Sequence, residues 1–206
     1  MSTPRIEPEW AIVTIGFVDI RGFTTFADRS TAREAVDYLN EFFAVAVPVV
    51  TGHGGHVNKL LGDGLLAVFG APEPLPDHAD RALAAARDLL DAVDRELGER
   101  CRVGIGVNSG LVLVGTIGAD EVVELAVVGD PVNVAARVQD ATRELGERVL
   151  VTEATRVLLE EQGNLEPRGT ISLRGKPAPV AIYGCPPDSV TLPGRLIRRK
   201  DLGWQH

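Results

Sequence analysis

Of the 206 residues, 45% are hydrophobic and 24% charged, with 22 Gly and 13 Pro, which is the balance of one globular domain rather than of a disordered or fibrous chain. A net charge of −8 and a pI near 5.0 give no general field for DNA, RNA or an anionic membrane, so no nucleic-acid partner is expected and a polyanionic ligand would need local cations. The longest apolar run, 42–50, contains Pro48 and falls short of the roughly 20 residues a membrane span needs. Cys101 and Cys185 form no CxxC pair and no leader-like segment precedes Trp10, which reads as a reducing, cytosolic setting.

Residues 10–20 are mostly β-branched or apolar and stop at Asp19 and Arg21-Gly22, which predicts a buried strand entering a tight loop. Thr31 and Glu34 form a capping box ahead of Ala35, Val36, Leu39, Phe42, Phe43 and Val47, one apolar face on a helix ending near Gly52. The runs 57–61 and 65–69 flank Gly62-Asp63-Gly64, the turn chemistry of a hairpin with a three-residue loop. Beyond a Pro-rich connector at 71–76, Ala79, Leu83, Ala86, Leu89, Leu90, Val93 and Leu97 recur at helical spacing until Gly98.

Residues 101–107 and 111–117 read as paired strands and 122–128 as another, each bounded by Gly or Asn. Asp130 and Pro131 open a helix as N-cap and first residue, with Val134, Ala135 and Val138 facing inward. A strand at 149–152, a helix at 153–161 and strands near 171 and 180–183 follow. Residues 186–206 turn polar and basic and read as an exposed tail; with residues 1–9 as an N-terminal extension, the domain itself is 10–185. The order of elements predicts an α+β sandwich with helices on an antiparallel sheet.

Asp19 ends an apolar strand, where a carboxylate is either a turn residue or a rigid ligand for a hard cation such as Mg²⁺. Asp63 alone is an ordinary turn aspartate. If the first strand lies beside the hairpin, however, the strand end and the hairpin tip bring both carboxylates to one place, as two-metal phosphoryl chemistry requires. Lys59, one of three lysines against 18 arginines, sits in an apolar hairpin strand and needs a partner: water at the end of a snorkelling chain, or a ring nitrogen of a nucleobase. Asn133 and Arg137 stand four apart near the positive end of a helix, as a solvated pair or an anion site. His53 and His56 lack further ligands at zinc-like spacing, and no GxSxG, Walker A or GxGxxG signature is present.

Three segments in register, Phe17-Val18-Asp19-Ile20-Arg21-Gly22-Phe23-Thr24, Lys59-Leu60-Leu61-Gly62-Asp63-Gly64 and Val128-Gly129-Asp130-Pro131-Val132-Asn133-Val134-Ala135-Ala136-Arg137, resemble the class III nucleotidyl cyclase catalytic domain. The resemblance covers 10–184, and Leu173-Arg174-Gly175-Lys176 is similar to the family's closing segment. It implies a ferredoxin-like βαββαβ core sandwich with extra C-terminal strands and helices, and a head-to-tail homodimer with two shared active sites. It further implies an adenylyl cyclase making cyclic AMP and pyrophosphate from ATP with two Mg²⁺ or Mn²⁺ ions; a guanylyl cyclase and a nucleotide-binding regulatory module with weak catalysis are the alternatives.

By position, Asp19, Asp63 and the backbone of Ile20 match the family's metal site, Gly22-Phe23-Thr24 the phosphate turn and Arg174 a contact to the terminal phosphates. From the second subunit, Lys59 matches the base-contacting lysine, Asn133 the ribose-orienting residue and Arg137 the arginine that stabilises the transition state. The family's second base-selecting position, usually Asp or Thr in adenylyl cyclases, falls on Ala126, whose methyl accepts no hydrogen bond.

Overall fold

The computed structural model describes residues 6–119, 122–161, 164–172, 178–186, 189–192 and 195–198; Arg174, with the rest of 173–177, lies outside them. The chain opens with strand β1 (Glu9–Ile20), a short helix α1 (Phe23–Ala27) and helix α2 (Ala32–Gly52). The hairpin β2 (His56–Leu61) and β3 (Gly64–Phe69) follows, then α3 (His78–Glu96), β4 (Val103–Ala119), β5 (Val122–Val128) and α4 (Asp130–Glu144). The remainder is β6 (Val149–Thr152), α5 (Glu153–Arg156), β7 (Glu166–Ile171), β8 (Val180–Gly184), β9 (Ser189–Leu192) and β10 (Arg195–Arg198).

One eight-stranded sheet runs β2-β3-β1-β4-β6-β8-β7, with β5 paired to the distal part of β4, and among the described residues only the β4–β6 ladder is parallel. The α+β sandwich expected from the order of elements is therefore present. α2 and α3 cover one face over the larger core, which includes Phe42, Val45, Leu83, Leu89 and Val93 against Val18, Ile20, Leu65 and Ile105. α4 covers the other face, where Val134, Ala135 and Val138 are buried as their spacing predicts. It lies close because β4 carries glycine beneath it: a Cβ on Gly106 would stand 2.2 Å from the Gln139 backbone nitrogen and 2.6 Å from the Ala135 carbonyl oxygen.

Several local expectations shift. The Thr31–Glu34 capping box is present, but α2 buries Tyr38, Phe42, Val45, Ala46 and Val50, while Val36 is exposed. This helix is apolar on more than one side, and the sheet selects the stripe. The two strands expected at 101–107 and 111–117 are one continuous strand, held straight by a twelve-residue ladder from Ile20 opposite Val103 to Glu9 opposite Val114. Gly110, which reads as a turn residue, instead makes room for Pro131, whose Cγ would be 2.6 Å from an added Cβ.

The hairpin loop is two residues, Gly62 and Asp63, since Leu61 pairs with Gly64. Asp130 is the first helical residue rather than the cap, which is Gly129. The helix expected at 153–161 closes after one turn, and α1 carries no periodic apolar stripe by which to find it. Within the expected tail, β9 and β10 pair only with each other; the rest of residues 187–206 lies outside the described set.

Candidate active site

Strand β1 lies between β3 and β4, so its C-terminal end meets the hairpin tip: Asp19 is the register partner of Gly64, and the Ile20 N–H donates to the Asp63 carbonyl at 3.0 Å. The two carboxyl groups lie close enough for the Asp63 charge to act directly on Asp19. Burial, and then the Asp63 charge, push the Asp19 carboxyl up to about 6; Arg143 pulls it back down and Asp140 opposes Arg143, both reaching it from the C-terminal half of α4. Two carboxylates forced together in a half-buried corner make a place that favours a cation. Among the described residues no group of three or more His, Cys, Asp or Glu side chains is placed to hold a metal ion by itself. That donor set fits Mg²⁺, which is typically held by one or two carboxylates and completed by water and substrate phosphates.

Just beyond Asp19 the chain turns through Gly22, at φ 76, into α1. Phe23 anchors this turn against the larger core, stacked on Tyr38 with ring centroids 6.1 Å apart, while Thr24 stays exposed. Arg21, given no role by sequence reasoning, ties the loop down. Its Nη2 donates to the Thr142 carbonyl at 3.1 Å and to that of Glu147, and its backbone N–H donates to Arg102 O at 2.7 Å. The same guanidinium therefore holds the carboxylate corner to the C-terminal end of α4. The neighbouring groove over Phe26 and Tyr38 is lined by Glu34, Asp37 and Glu41 as well as by Arg21 and Arg100, and Arg100 is paired with Glu41.

A second group of sequence-predicted residues lies on β2, β5 and α4. The sheet curls enough for β2 to reach β5: Asn58 Nδ2 donates to the Leu125 carbonyl at 2.8 Å, and Lys59 Nζ donates to Glu124 Oε1 at 2.9 Å. Ala126 lies two residues along from Glu124 on the same side of β5, with 6% of its surface exposed. Asn133 and Arg137 are exposed on the first turns of α4, and Arg137 pairs with Asp140 at 3.2 Å. The structure thus brings Asp19 to Asp63, Lys59 to the strand of Ala126, and Asn133 to Arg137. His53 is engaged with Asp88 at 2.8 Å, which is a surface pair and not a metal site.

The N-terminal end of α4 is fixed by a buried polar chain that sequence reasoning did not find. Between the β6 and β5 ladders, residues 108–112 of β4 have no strand on that edge. Side chains fill the gap. His78 Nδ1 meets Thr14 Oγ1 at 2.7 Å, Thr14 meets Ser109 Oγ at 2.7 Å, and Ser109 donates to Thr155 Oγ1 at 2.9 Å. Thr155 adjoins Thr152, whose hydroxyl donates to Asn108 Oδ1 at 2.7 Å, and Asn108 Nδ2 donates to the Pro131 carbonyl at 2.9 Å. The chain crosses the sheet from α3 to α4 and ends two residues before Asn133.

The domain is thus a twisted sheet with α4 on one face, two aspartates at the end of its central strand, and a lysine, an asparagine and an arginine on neighbouring elements. Residues 7–184 match the family model of the adenylate and guanylate cyclase catalytic domain, and the chain belongs to that family. An uncharacterised Mycobacterium tuberculosis protein is 41% identical over 181 residues, 87% of this chain and 32% of the relative. The chain thus spans about a third of the length of the curated relatives it matches. Among solved structures it is similar to the adenylyl cyclase CyaB from P. aeruginosa, at 26% identity over 96% of this chain and 100% of that chain, with TM-score 0.80. It is also similar to the guanylyl cyclase Cya2, at 29% identity over 94% of this chain and 98% of that chain, with TM-score 0.81. Relatives of both base preferences share this fold, so the choice of base rests on the site.

Proposed function

We propose that the chain is an adenylyl cyclase domain that converts ATP to 3′,5′-cyclic AMP and pyrophosphate at sites shared by two copies of itself. The observation that carries this reading is the meeting of Asp19 and Asp63 where β1 ends at the β2–β3 turn. In the reaction the ribose 3′-oxygen attacks the α-phosphorus, the bond from that phosphorus to the bridging oxygen breaks, pyrophosphate leaves and the hydroxyl proton passes to solvent. Two divalent cations, Mg²⁺ or Mn²⁺, supply the charge that makes the 3′-hydroxyl acidic and offsets the triphosphate.

Asp19 and Asp63, with the Ile20 carbonyl, hold that charge in place. The turn at Gly22, Phe23 and Thr24 presents first-turn N–H groups, which a helix leaves unpaired, to phosphate oxygens; Arg174 serves the terminal phosphates. From the second copy, Lys59 donates to the base, with Ala126 beside it, Asn133 orients the ribose and Arg137 meets charge developing on the α-phosphoryl group. Arg137 enters the reaction by exchanging Asp140 for phosphate.

Two features support the second copy. Asn133 and Arg137 point to solvent, while the charges acting on Asp19 come from Asp63, Arg143 and Asp140. Exposed Trp10, Ile12, Leu111 and Val128, with half-buried Leu113 between Trp10 and Val128, also line one side of β1, β4 and β5. A reducing, cytoplasmic setting is supported by the free thiols of Cys101 and Cys185; among the described residues no helix is long and apolar enough to cross a membrane. The test is direct measurement of cyclic nucleotide from purified protein given ATP or GTP with Mn²⁺. Cyclic AMP formed preferentially is the expected result. Cyclic GMP alone assigns the guanylyl alternative, and nucleotide binding without product assigns a regulatory module.

A further inference from the structure

The position where an adenine-reading acceptor is expected holds Ala126, yet an acceptor stands nearby on the same side of the same strand. We propose that Glu124 is the specificity-determining residue that accepts a hydrogen bond from the 6-amino group of adenine, taking over the contact that Ala126 cannot make. The inference rests on the cyclase reading above and deepens it.

Lys59 Nζ and Glu124 Oε1 lie 2.9 Å apart, with 41% and 55% of the two side chains exposed, so the pair is open to a ligand. An ammonium has three donors, and one is used on Glu124; a carboxylate can accept at both oxygens, and Glu124 Oε2 makes no hydrogen bond among the described residues. The pair therefore offers a donor beside an acceptor. Adenine presents the complement on adjacent positions of its Watson–Crick edge, a ring nitrogen that accepts at N1 and an amino group that donates at C6. The Asn58–Leu125 hydrogen bond fixes β2 to β5 at this level, so donor and acceptor are held in register across two strands rather than on mobile loops. Alternation along β5 turns Leu125 and Val127 toward the smaller core, which leaves Glu124 and Ala126 on the other side of the strand.

The discriminating substrate is purine riboside 5′-triphosphate, which keeps N1 and lacks the amino group. Measured with Mn²⁺ as kcat/KM, the unaltered protein should prefer ATP over this analogue by roughly 10- to 100-fold, the range of a hydrogen bond to a charged acceptor. Glu124→Ala should bring the ratio near one by lowering the ATP value, with the analogue little changed. Glu124→Gln breaks the ion pair with Lys59 but keeps a neutral carbonyl acceptor, so it should restore part of the preference, to roughly 2- to 12-fold. If Glu124→Ala lowers both substrates alike, or Gln fails to rescue the ratio, Glu124 merely tethers Lys59 and the proposal is wrong while the cyclase reading stands. If the unaltered protein forms no cyclic product from ATP, the adenylyl cyclase reading fails and this proposal falls with it.

Discussion

Gly106 tests whether the site depends on how closely α4 lies on β4. In Gly106→Ala the new methyl carbon would stand 2.2 Å from Gln139 N, 2.6 Å from Gln139 Cα and 2.6 Å from Ala135 O, all backbone atoms. Ordinary contact needs about 3.5 Å, so the helix must retreat by ~1 Å, since no side chain can rotate away. Retreat loosens Val134, Ala135 and Val138 against the sheet, at a cost of about 1–3 kcal/mol. For a chain of this size that corresponds to a fall in Tm of roughly 2–12 °C. Asn133 and Arg137 ride on the same helix, and a misplacement of about 1 Å costs roughly 10²-fold in rate. Melting curves and cyclic nucleotide production measure the two effects. Gly52→Ala is the control, because a Cβ there meets nothing within 4 Å, and it should be neutral or slightly stabilising. A Gly106→Ala protein with unaltered Tm and activity would refute the close-packing argument.

Asp63→Ala should keep its melting temperature, since the residue occupies a two-residue loop, while losing several kcal/mol of transition-state stabilisation, or roughly 10²- to 10³-fold in product formation. Unfolding with activity lost only in proportion would mark Asp63 as a turn residue alone. Asn108→Ala removes the amide donor to the Pro131 carbonyl and the acceptor of the Thr152 hydroxyl, and denaturant titration should register a loss of about 1–3 kcal/mol; an unchanged midpoint would contradict the buried chain. Burial holds the His78 imidazole below its usual range, against the pull of Asp77 and Asp80. The folded state therefore favours the neutral ring, so this contribution to stability is present above the unfolded value of about 6.5 and is lost as pH falls below it. His78→Gln, which retains a hydrogen-bonding partner for Thr14, should flatten the fall in stability between about pH 7 and 5; an unchanged slope would exclude His78 as its source.

Local chemistry announced much of this molecule. Thr31 with Glu34, the Gly62-Asp63 turn and Pro131 at a helix start each specify an element through a few neighbouring residues, and all three elements are present. The meeting of Asp19 with Asp63 was legible as a consequence of β1 lying beside the hairpin. What escaped depends on partners distant in sequence. β4 is continuous because β1 runs along it, and Gly110 answers to Pro131 rather than to a turn. Arg21 acquires its function from carbonyls more than a hundred residues away. Glu124 gains meaning only when the curl of the sheet brings Lys59 to it, and Asn108 only when β5 and β6 leave a gap in the edge of β4.

The central claim, that each site takes its carboxylates from one copy and Arg137 from the other, is tested most directly by mixing two inactive variants, Asp19→Ala and Arg137→Ala. In the heterodimer one site carries both lesions and the other carries neither. With random subunit exchange half the dimers are mixed and each has one intact site, so cyclic nucleotide production should recover to roughly a quarter of that of the unaltered protein. A mixture that exchanges subunits, verified by differently labelled copies, and yet stays as inactive as either variant alone would contradict the shared site.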